Sequence, residues 1–537
     1  MPNLKVSVKS ENILNKWWVL ATLGFGLILP MLDFAVVSVA ASTIREAFQA
    51  NFNNFQWIMG AYLTAFAVVI LGSGVLGDIY GRKKVYALGL LFFVAGSAIS
   101  AVSDNISMLL VGRVIAGLGG GFIFANTLSI AANAFKPKDR AVALASWAGI
   151  SAFALAIGPV IGGLLIENFG WQWAFWVNVP IGVFALVLSL GILKENKKSK
   201  EQLDLLGIML GSLSLVTLMY AVIQSTSLGW GSFYVVGSLL LSLILGWIFV
   251  ANERRAKSPL IDVNLFKDET FSVVNLTGLV ASLALFGLTF YIAFYFQQIL
   301  GYSVLKTGLS LLPLTAFVFM LAPAARTLSG KYAGRWVVGP ALVTGAIGCL
   351  LLSVYVGTST SYAQIVAPLA LIGISLGVVL SPLTVMALGS VADGKAGGAS
   401  GIINTTRAIG AAIGVGLLGT LLAYGASNNI PAQLKNSGSL PEGADQAVKQ
   451  IVGTNIVQFN ETITSLPKQY SEPIYKAIDN ATAYGLERVL YVTAALLLIS
   501  AVLTVIFVKD EDKFELKQLV KKIKSSLSLS KDFNYKA

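Results

Sequence analysis

The sequence contains no histidine and only one cysteine, Cys349. A single cysteine cannot form an intramolecular disulfide, and without histidine the side chain that usually titrates near neutral pH is missing. Any proton transfer by this chain must therefore use carboxylates. The sequence also lacks the Gly-x-x-x-x-Gly-Lys-Ser/Thr loop that holds nucleotide phosphates, so nothing in it predicts ATP hydrolysis. No metal site and no organic cofactor are expected.

Charged residues are also scarce. They make up 12% of the 537 residues, whereas hydrophobic residues make up 56%. A soluble domain has about 25% charged residues, so this chain has too few polar groups to cover itself in water. Its 53 glycines are typical of membrane helices that pack closely. Composition alone predicts an all-α integral membrane protein.

Fourteen hydrophobic runs are long enough for a membrane-spanning helix, which needs about 20 residues. With the N-terminus in the cytoplasm, most Lys and Arg residues fall on the cytoplasmic side, as the positive-inside rule requires. Both termini are therefore predicted to be cytoplasmic, in a cell (inner or plasma) membrane. The net charge of +12 then reflects orientation, and no nucleic-acid partner is expected. The runs are 17–40, 52–76, 85–103, 106–133, 141–166, 171–193, 203–223, 231–251, 271–298, 304–328, 336–357, 361–389, 399–424 and 487–508.

The order of these runs predicts two six-helix bundles separated by two inserted helices. An internal repeat supports this division, because residues 117–163 align with 373–419 without gaps and share glycines at equivalent positions. Transporters are often built from such repeats. The predicted segments are 1–16 (cytoplasmic tail), 17–193 (first bundle), 194–270 (inserted pair and linkers), 271–508 (second bundle, with a polar external loop at 425–486) and 509–537 (basic cytoplasmic tail).

The most specific motif follows the second span and reads Gly74-Val-Leu-Gly-Asp-Ile-Tyr-Gly-Arg-Lys-Lys84. Gly81 permits a tight turn at the membrane face, and Asp78 is suited to pair with a basic group or a helix N-terminus. Basic residues then anchor the turn on the cytoplasmic side. An ordinary basic turn is the alternative. The residues of interest are Gly74, Gly77, Asp78, Gly81, Arg82 and Lys83.

The fifth span carries a second motif, Ala156-Ile-Gly-Pro-Val-Ile-Gly-Gly163. Pro159 removes one backbone hydrogen bond and is expected to bend the helix. Gly158, Gly162 and Gly163 provide a smooth surface on which another helix can pack closely. A plain packing surface is both the simplest interpretation and the alternative to a more specific role.

Both motifs resemble conserved motifs of the major facilitator superfamily. The loop at 74–84 is similar to the signature loop of that family, although Ile79 stands where a basic residue is common. The motif in the fifth span resembles the antiporter signature of its exporters. Arg113, in the fourth span, resembles the conserved arginine found there. The resemblance implies a major facilitator fold, with a central cavity that opens alternately to the two sides.

Three further stretches resemble the fourteen-helix drug:proton antiporters of this superfamily. They begin at Leu32-Asp33 in the first span, at Ser258 before the second bundle and at Ala399 in the thirteenth span. The sequence departs from that pattern at Ala35, Ser38 and Ser42, where Thr, Asn and Pro are usual. These departures leave the type of substrate open. The resemblance implies export of lipophilic or cationic small molecules in exchange for protons.

Three charged residues lie well inside predicted spans, namely Asp33, Arg113 and Arg407. A charge at the bilayer centre costs at least ~2.5–3.5 kcal/mol, so each is a functional candidate by default. Asp33 is the acidic member, and Asp33 with Arg113 is the predicted proton-coupling site. The alternative is that Asp33 merely caps the outer end of its helix or pairs structurally. Arg407 is expected either to hold an anionic substrate or to brace the cavity.

The ninth span is rich in aromatic residues, which suit flat, lipophilic or cationic ligands. Contact with lipid or with neighbouring helices is the alternative for each of them. The residues predicted to line the substrate cavity are Asp33, Phe290, Phe294, Gln298, Asn404 and Arg407.

The expected function is drug export driven by the proton gradient, with a small-molecule substrate, protons and the lipid bilayer as partners. One alternative is an exporter specific for a single metabolite or siderophore. Another is a transporter-derived sensor or assembly subunit. A membrane-bound enzyme would need an acidic or nucleophilic cluster at a membrane face, which the sequence lacks, so no enzymatic activity is expected. The loop at 425–486 is a candidate contact for a periplasmic adaptor, and a monomer is expected.

Overall fold

Fourteen helices of the structure are long and apolar enough to cross a membrane, as the sequence predicts. The computed structural model describes residues 13–135, 137–195, 203–256, 259–392, 396–436 and 468–509, and these ranges contain no strand. The helices are α1 (Ile13–Ala47), α2 (Phe52–Tyr80), α3 (Arg82–Ala101), α4 (Ile106–Ala134), α5 (Pro137–Phe169), α6 (Trp173–Trp176), α7 (Asn178–Ile192), α8 (Leu205–Leu228), α9 (Phe233–Glu253), α10 (Glu269–Gln298), α11 (Val304–Ser310), α12 (Leu312–Lys331), α13 (Gly334–Tyr355), α14 (Tyr362–Gly389), α15 (Ala396–Asn436) and α16 (Lys468–Phe507).

Polar caps mark where several spans begin. The side chains of Asn51, Asn105 and Asp268 accept backbone hydrogen bonds at the starts of α2, α4 and α10. Ser361 and Gln364 form a capping box at the start of α14. Each cap satisfies an N–H group that the helix itself leaves unpaired. Capped turns between the long apolar runs thus set the residues at which these spans begin.

Helices α1–α7 form one bundle, here called the N bundle, and α10–α16 form the C bundle. The internal repeat is visible in their packing. Gly117 of α4 lies against α2 at the Tyr62 carbonyl, and its repeat partner Gly373 of α14 lies against α12 at the Leu314 carbonyl. Equivalent glycines therefore contact equivalent helices.

Helices α8 and α9 form the insert between the bundles. They are joined to each other by hydrogen bonds between Ser214 and Ser242, whose hydroxyl oxygens lie 3.4 Å apart. Helix α8 packs against both α2 and α15, whereas α9 is the least buried of the spans. The insert thus lies against the two bundles through α8.

The two ends of the molecule differ in how the bundles meet. We call the end with the α1–α2 turn the distal end, and the end near residues 13 and 509 the terminal end. Among the described residues, the hydrogen bonds that join the N and C bundles lie in the distal half. They include bonds from Gln297 to the Val39 carbonyl (2.9 Å), from Gln298 to Glu46 (2.7 Å), from the Leu305 N–H to Glu167 (3.2 Å), from Thr315 to the Ala156 carbonyl (3.2 Å) and from Gln56 to the Gly416 carbonyl (3.3 Å).

The last two spans are longer than predicted, because α15 and α16 extend well into the segment predicted to be the external loop 425–486. They contain 41 and 40 residues, or about 60 Å each at 1.5 Å per residue, against a hydrocarbon core of about 30 Å. Their distal parts pack through Ile430, Leu434, Ile474, Ala477 and Ala481. The middle of the predicted loop, residues 437–467, lies outside the described residues, as does nearly all of the basic tail 509–537.

Candidate functional site

An ion pair lies in the interior of the N bundle. Nη1 of Arg113, on α4, is 2.7 Å from Oδ2 of Asp33, on α1, and neither side chain has any exposed surface. The Arg113 Nε–H also donates to the carbonyl of Ile58 on α2, at 3.0 Å. A single guanidinium therefore binds α1 and α2 at once, which its planar group of donors makes possible.

Two further polar residues surround this pair. Asn178, the first residue of α7, donates from Nδ2 to Oδ1 of Asp33 at 3.0 Å. Tyr62 of α2 places its ring 4.3 Å from the Arg113 guanidinium carbon and donates its hydroxyl to the Pro30 carbonyl at 3.1 Å. All four side chains are at most 1% exposed. The carboxylate is thus held on both oxygens, and the guanidinium stacks on an aromatic face.

Two buried atoms of this site have no hydrogen-bond partner among the residues that the structure describes: Nη2 of Arg113 and Oδ1 of Asn178. One is a donor and the other an acceptor. Buried polar atoms are normally paired, so these two atoms are the donor and the acceptor that the site leaves available to a water molecule or a polar ligand group.

The cost of a charge in lipid marks Asp33 and Arg113 in the sequence, but it does not mark the uncharged Asn178 and Tyr62 that contact them in the structure. The coupling role of Asp33 and Arg113 stays a prediction. An uncharged amide inside the apolar run Phe175-Trp-Val-Asn-Val-Pro-Ile-Gly182 was the available signal, since a lone amide in lipid also needs a partner.

The signature loop forms a tight turn at the terminal end of α2 and α3. Gly81 has a φ of +110°, a conformation that favours glycine, and its N–H donates to the Gly77 carbonyl at 3.0 Å. Asp78 pairs with Arg82 at 2.7 Å, and Arg82 also donates to the Ser129 carbonyl of α4 at 3.2 Å. The predicted pairing of Asp78 with a basic group is therefore present.

The flanking residues of the loop differ in their surroundings. Lys83 donates from Nζ to the Leu190 carbonyl of α7 at 2.8 Å, and its backbone N–H donates to Glu195 at 3.1 Å. A Cβ added at Gly77 would overlap Asn126 of α4, whereas one added at Gly74 would meet nothing within 4 Å. The loop thus ties α2 and α3 to α4 and α7, and Gly74 does not take part in close packing.

The motif of the fifth span lies between the two bundles. A Cβ at Gly158 would overlap that of Ala35, and one at Gly162 would lie 3.0 Å from Val39, so these glycines pack on α1. On the other side, a Cβ at Gly163 would lie 2.5 Å from Leu305 Cα of α11, and Gly308 packs on the Pro159 carbonyl. The predicted close-packing surface is present, and it serves α1 and the C bundle together.

Phe290 and Phe294 of α10 are buried against the N bundle in this conformation. Phe290 is stacked on Phe55 of α2 with ring centroids 4.7 Å apart, and Phe294 contacts Phe55 and Phe52. Phe290 is 0% and Phe294 5% exposed. Gln298 donates to Glu46. These residues close the distal end between the bundles, and a role in substrate contact stays a prediction.

Arg407 lies inside the C bundle, where its Nη2 donates to the Leu380 carbonyl at 2.6 Å and to the Thr384 hydroxyl at 2.9 Å. Both partners belong to α14, so the geometry favours the bracing role over the binding of an anion. Its Nε is buried without a partner. Asn404, one turn earlier on α15, is half-buried.

The family of the chain follows from comparisons with known proteins. A family model described as Major Facilitator Superfamily matches residues 23–415. The multidrug resistance protein Stp of Mycobacterium tuberculosis is 31% identical over 416 residues, which cover 77% of each chain. The methylenomycin A resistance protein of Bacillus subtilis is 31% identical over 76% of this chain and 88% of its own. The tetracenomycin C resistance and export protein of Streptomyces glaucescens is 27% identical over 92% of each chain.

The fold agrees with these relatives. A bacterial homologue of the human lysosomal transporter Spinster, solved in an inward-facing and unoccupied conformation, superposes with a TM-score of 0.62 at 16% identity, covering 91% of this chain and 96% of that one. The human organic anion transporter MFSD10 gives a TM-score of 0.55 at 15% identity. At such identities the likeness concerns the fold alone. The chain is a multi-pass membrane protein that belongs to the Major Facilitator Superfamily, a family of transporters and not of enzymes.

Proposed function

We propose that this protein exports lipophilic or cationic drug-like molecules in exchange for protons, with the proton gradient as its energy source. The observation that carries the proposal is the buried ion pair of Asp33 and Arg113. A proton and a cationic substrate would both neutralise Asp33, so the two would compete for it. Such competition at one group is what exchange requires.

The arrangement of the bundles supports alternating access. In this conformation the distal end is closed by the contacts of α10 with α1 and α2. Release at the distal end would require these contacts to separate while the terminal ends of the bundles come together. The glycine surface of α5, which packs on α1 and on α11, is suited to such movement because it lacks interlocking side chains.

The named relatives support drug export as the class of function. They are a multidrug resistance protein, a methylenomycin A resistance protein and a tetracenomycin C resistance and export protein. Two of these names refer to a single antibiotic, which keeps export of one compound as the second candidate. An adaptor at the loop 425–486 and a monomeric state stay predictions of the sequence.

The decisive experiment measures efflux of a panel of cationic and neutral dyes from proteoliposomes with an imposed proton gradient. Asp33→Asn removes the charge and keeps an oxygen that accepts from Arg113. We expect this variant to lose uphill efflux while downhill exchange persists. Asp104→Asn makes the same chemical change at an exposed distal position and should transport like the parent.

Each outcome has a distinct meaning. Uphill efflux by Asp33→Asn at the parent rate would show that coupling does not depend on this carboxylate, and Glu167 and Glu487 would be the next residues to test. Transport of one dye class or of a single antibiotic, with all others excluded, would favour the specific exporter. Downhill flux that is independent of the proton gradient in the parent would contradict antiport.

We also propose that the terminal end faces the cytoplasm, since it carries most of the Lys and Arg residues. In a Cys349→Ala background, Ser359→Cys in the α13–α14 turn should react with an impermeant maleimide from outside intact cells. Lys267→Cys, at the opposite end, should react only after permeabilisation. The reverse pattern would invert the orientation.

A further inference from the structure

The distal ends of the two bundles are joined by helix α8 of the insert as well as by their own contacts. Helix α8 contacts α15 through residues that include Met219, Val222 and Thr226, in its distal half. The Thr420 hydroxyl donates to the Val222 carbonyl at 2.8 Å and lies 3.2 Å from the Thr226 hydroxyl. This part of α8 therefore binds the C bundle.

The same part of α8 also binds the N bundle. Thr226 donates to Oε1 of Gln56 on α2 at 3.0 Å, and Asn53 donates to the Ile223 carbonyl at 3.0 Å. Nε2 of Gln56 continues to the Gly416 carbonyl of α15 at 3.3 Å. Gln56 and Thr420 are at most 2% exposed, so these bonds are shielded from water. Three helices thus meet in one polar joint.

Ile223 fills the apolar centre of this joint. A Cβ added at Gly60 of α2 would lie 2.7 Å from Ile223 Cδ1, and one added at Gly416 of α15 would lie 3.4 Å from Ile223 Cγ1. A glycine on each side leaves a slot for this side chain, which is fully buried. Helix α8 therefore fits between the two bundles at the distal end.

The contacts of α8 with α2 continue toward the terminal end. A Cβ at Gly72 would lie 2.9 Å from Ile208 Cδ1, and one at Gly211 would lie 2.6 Å from Leu71 Cδ2. Helix α8 thus contacts α2 near both of its ends, whereas its hydrogen bonds to α15 lie within two turns at the distal end. If α8 stays on α2 when the bundles separate there, only these bonds to α15 have to break.

We propose that α8 is part of the distal gate: it moves with α2, and its Val222 carbonyl holds the Thr420 hydroxyl of α15 when the distal end is closed. The proposal rests on the alternating access inferred above. It assigns Thr226, Gln56 and Thr420 as positioning residues for transport, and it gives the insert a role in the conformational cycle.

Disulfide trapping tests which bundle α8 follows. In a Cys349→Ala background, Thr226→Cys with Thr420→Cys places two thiols where hydroxyls lie 3.2 Å apart, within reach of a disulfide. The matched control is Ser214→Cys with Ser242→Cys, which joins α8 to α9 across hydroxyls 3.4 Å apart. Leu71→Cys with Gly211→Cys joins α8 to α2.

The readout is the distance between the bundles at the distal end, in nanodiscs. Phe169 of α5 and Tyr355 of α13 are exposed there and are replaced by p-acetylphenylalanine, which carries spin labels without using cysteine chemistry. We expect oxidation of the Thr226–Thr420 cysteine pair to abolish the longer, distal-open distance, and reduction to restore it. The other two pairs should open like the parent when oxidised.

A milder variant gives the same test without a cross-link. Thr420→Val keeps the shape and removes the hydroxyl that α15 donates to the Val222 carbonyl of α8, so the distal-open population should rise roughly threefold to tenfold, as expected for one net hydrogen bond. The control Thr217→Val lies on α8, where its hydroxyl bonds to carbonyls of α8 itself, and it should leave the populations unchanged.

Opposite results would overturn the proposal. Distal opening in the oxidised Thr226–Thr420 pair, or its loss in the oxidised Leu71–Gly211 pair, would show that α8 moves with the C bundle. Failure of Thr226→Cys and Thr420→Cys to cross-link would show that the joint does not form. A parent protein with a single distance at every pH and dye concentration would instead contradict alternating access itself.

Discussion

The amide of Asn178 lies 3.0 Å from the oxygen of Asp33 that Arg113 does not contact. Each carboxylate oxygen therefore has its own donor, one neutral and one charged. Both donors stabilise the ionised form of Asp33, since an ionised acceptor forms the stronger hydrogen bond. Asn178 belongs to α7 and Arg113 to α4. The ionised carboxylate of Asp33 therefore holds α1, α4 and α7 together, and its protonation would weaken both bonds.

Replacing Asn178 should impair coupling without unfolding the protein. Asn178→Leu removes the donor at similar volume, and a hydrogen bond to a charged group contributes about 1.5–3 kcal/mol, or roughly tenfold or more in an equilibrium constant. We expect uphill efflux to fall by about that factor in proteoliposomes. Asn168→Leu, at an exposed position on α5, is the control. Parent rates in Asn178→Leu would assign the amide no role in transport.

Removing Arg113 should destabilise the protein more than removing both members of the pair. Arg113→Met leaves a buried carboxylate without its partner, which costs roughly 3–5 kcal/mol. Arg113→Met with Asp33→Asn leaves no buried charge and should regain most of that stability, while uphill efflux stays absent. Denaturant unfolding of the four proteins of the double-mutant cycle measures the coupling. Additive losses would mean that the two side chains do not interact.

The signature loop should affect rate more than stability. Asp78 and Arg82 are partly exposed, and such pairs contribute at most about 1 kcal/mol. Asp78→Asn should therefore unfold like the parent but transport severalfold more slowly, with dye binding retained. Glu269→Gln breaks the exposed pair with Lys509 and is the matched control. Unchanged transport in Asp78→Asn would reduce the loop to an ordinary basic turn.

Two glycines of α5 should differ sharply in tolerance. Gly158→Ala forces a Cβ into Ala35 of α1, and overpacking of this kind typically costs about 1–3 kcal/mol. Gly149→Ala, on the same helix, meets nothing within 4 Å and should leave stability unchanged or raise it slightly. Thermal unfolding and efflux of the two variants give the comparison. Equal behaviour would contradict the packing of α5 on α1.

Hydrophobic run length predicted the number and order of the spans, because each span needs about 20 apolar residues to cross the bilayer. The same criterion does not show how far α15 and α16 extend, because residues beyond the apolar run, such as Asn429 and Gln433, are polar although the helix continues. Packing through Ile430 and Leu434 carries it past the membrane, although Gly425, Asn429 and Pro431 are poor helix formers. A polar segment between two spans does not have to be a loop.

The candidate site was predictable in its charges but not in its contacts. Asp33 and Arg113 are 80 residues apart. The free-energy cost of a charge in the bilayer marks each of them as a candidate, but it does not show that the two side chains are in contact. Phe290 was assigned to a cavity because aromatic faces suit ligands. In the structure that face meets Phe55 of the other bundle, a contact that depends on how two separate bundles approach. That contact cannot be predicted from the local sequence.

The distal parts of α15 and α16 extend beyond the membrane and move with the C bundle. Both are continuous with membrane-spanning parts of the C bundle. A tilt of that bundle within the membrane must therefore move their distal ends sideways. The displacement at the tip exceeds that at the membrane surface in proportion to its height. A probe attached near Tyr424 or Asn428 would therefore report the direction of tilt of the C bundle. It would do so from the distal side of the membrane, without entering it.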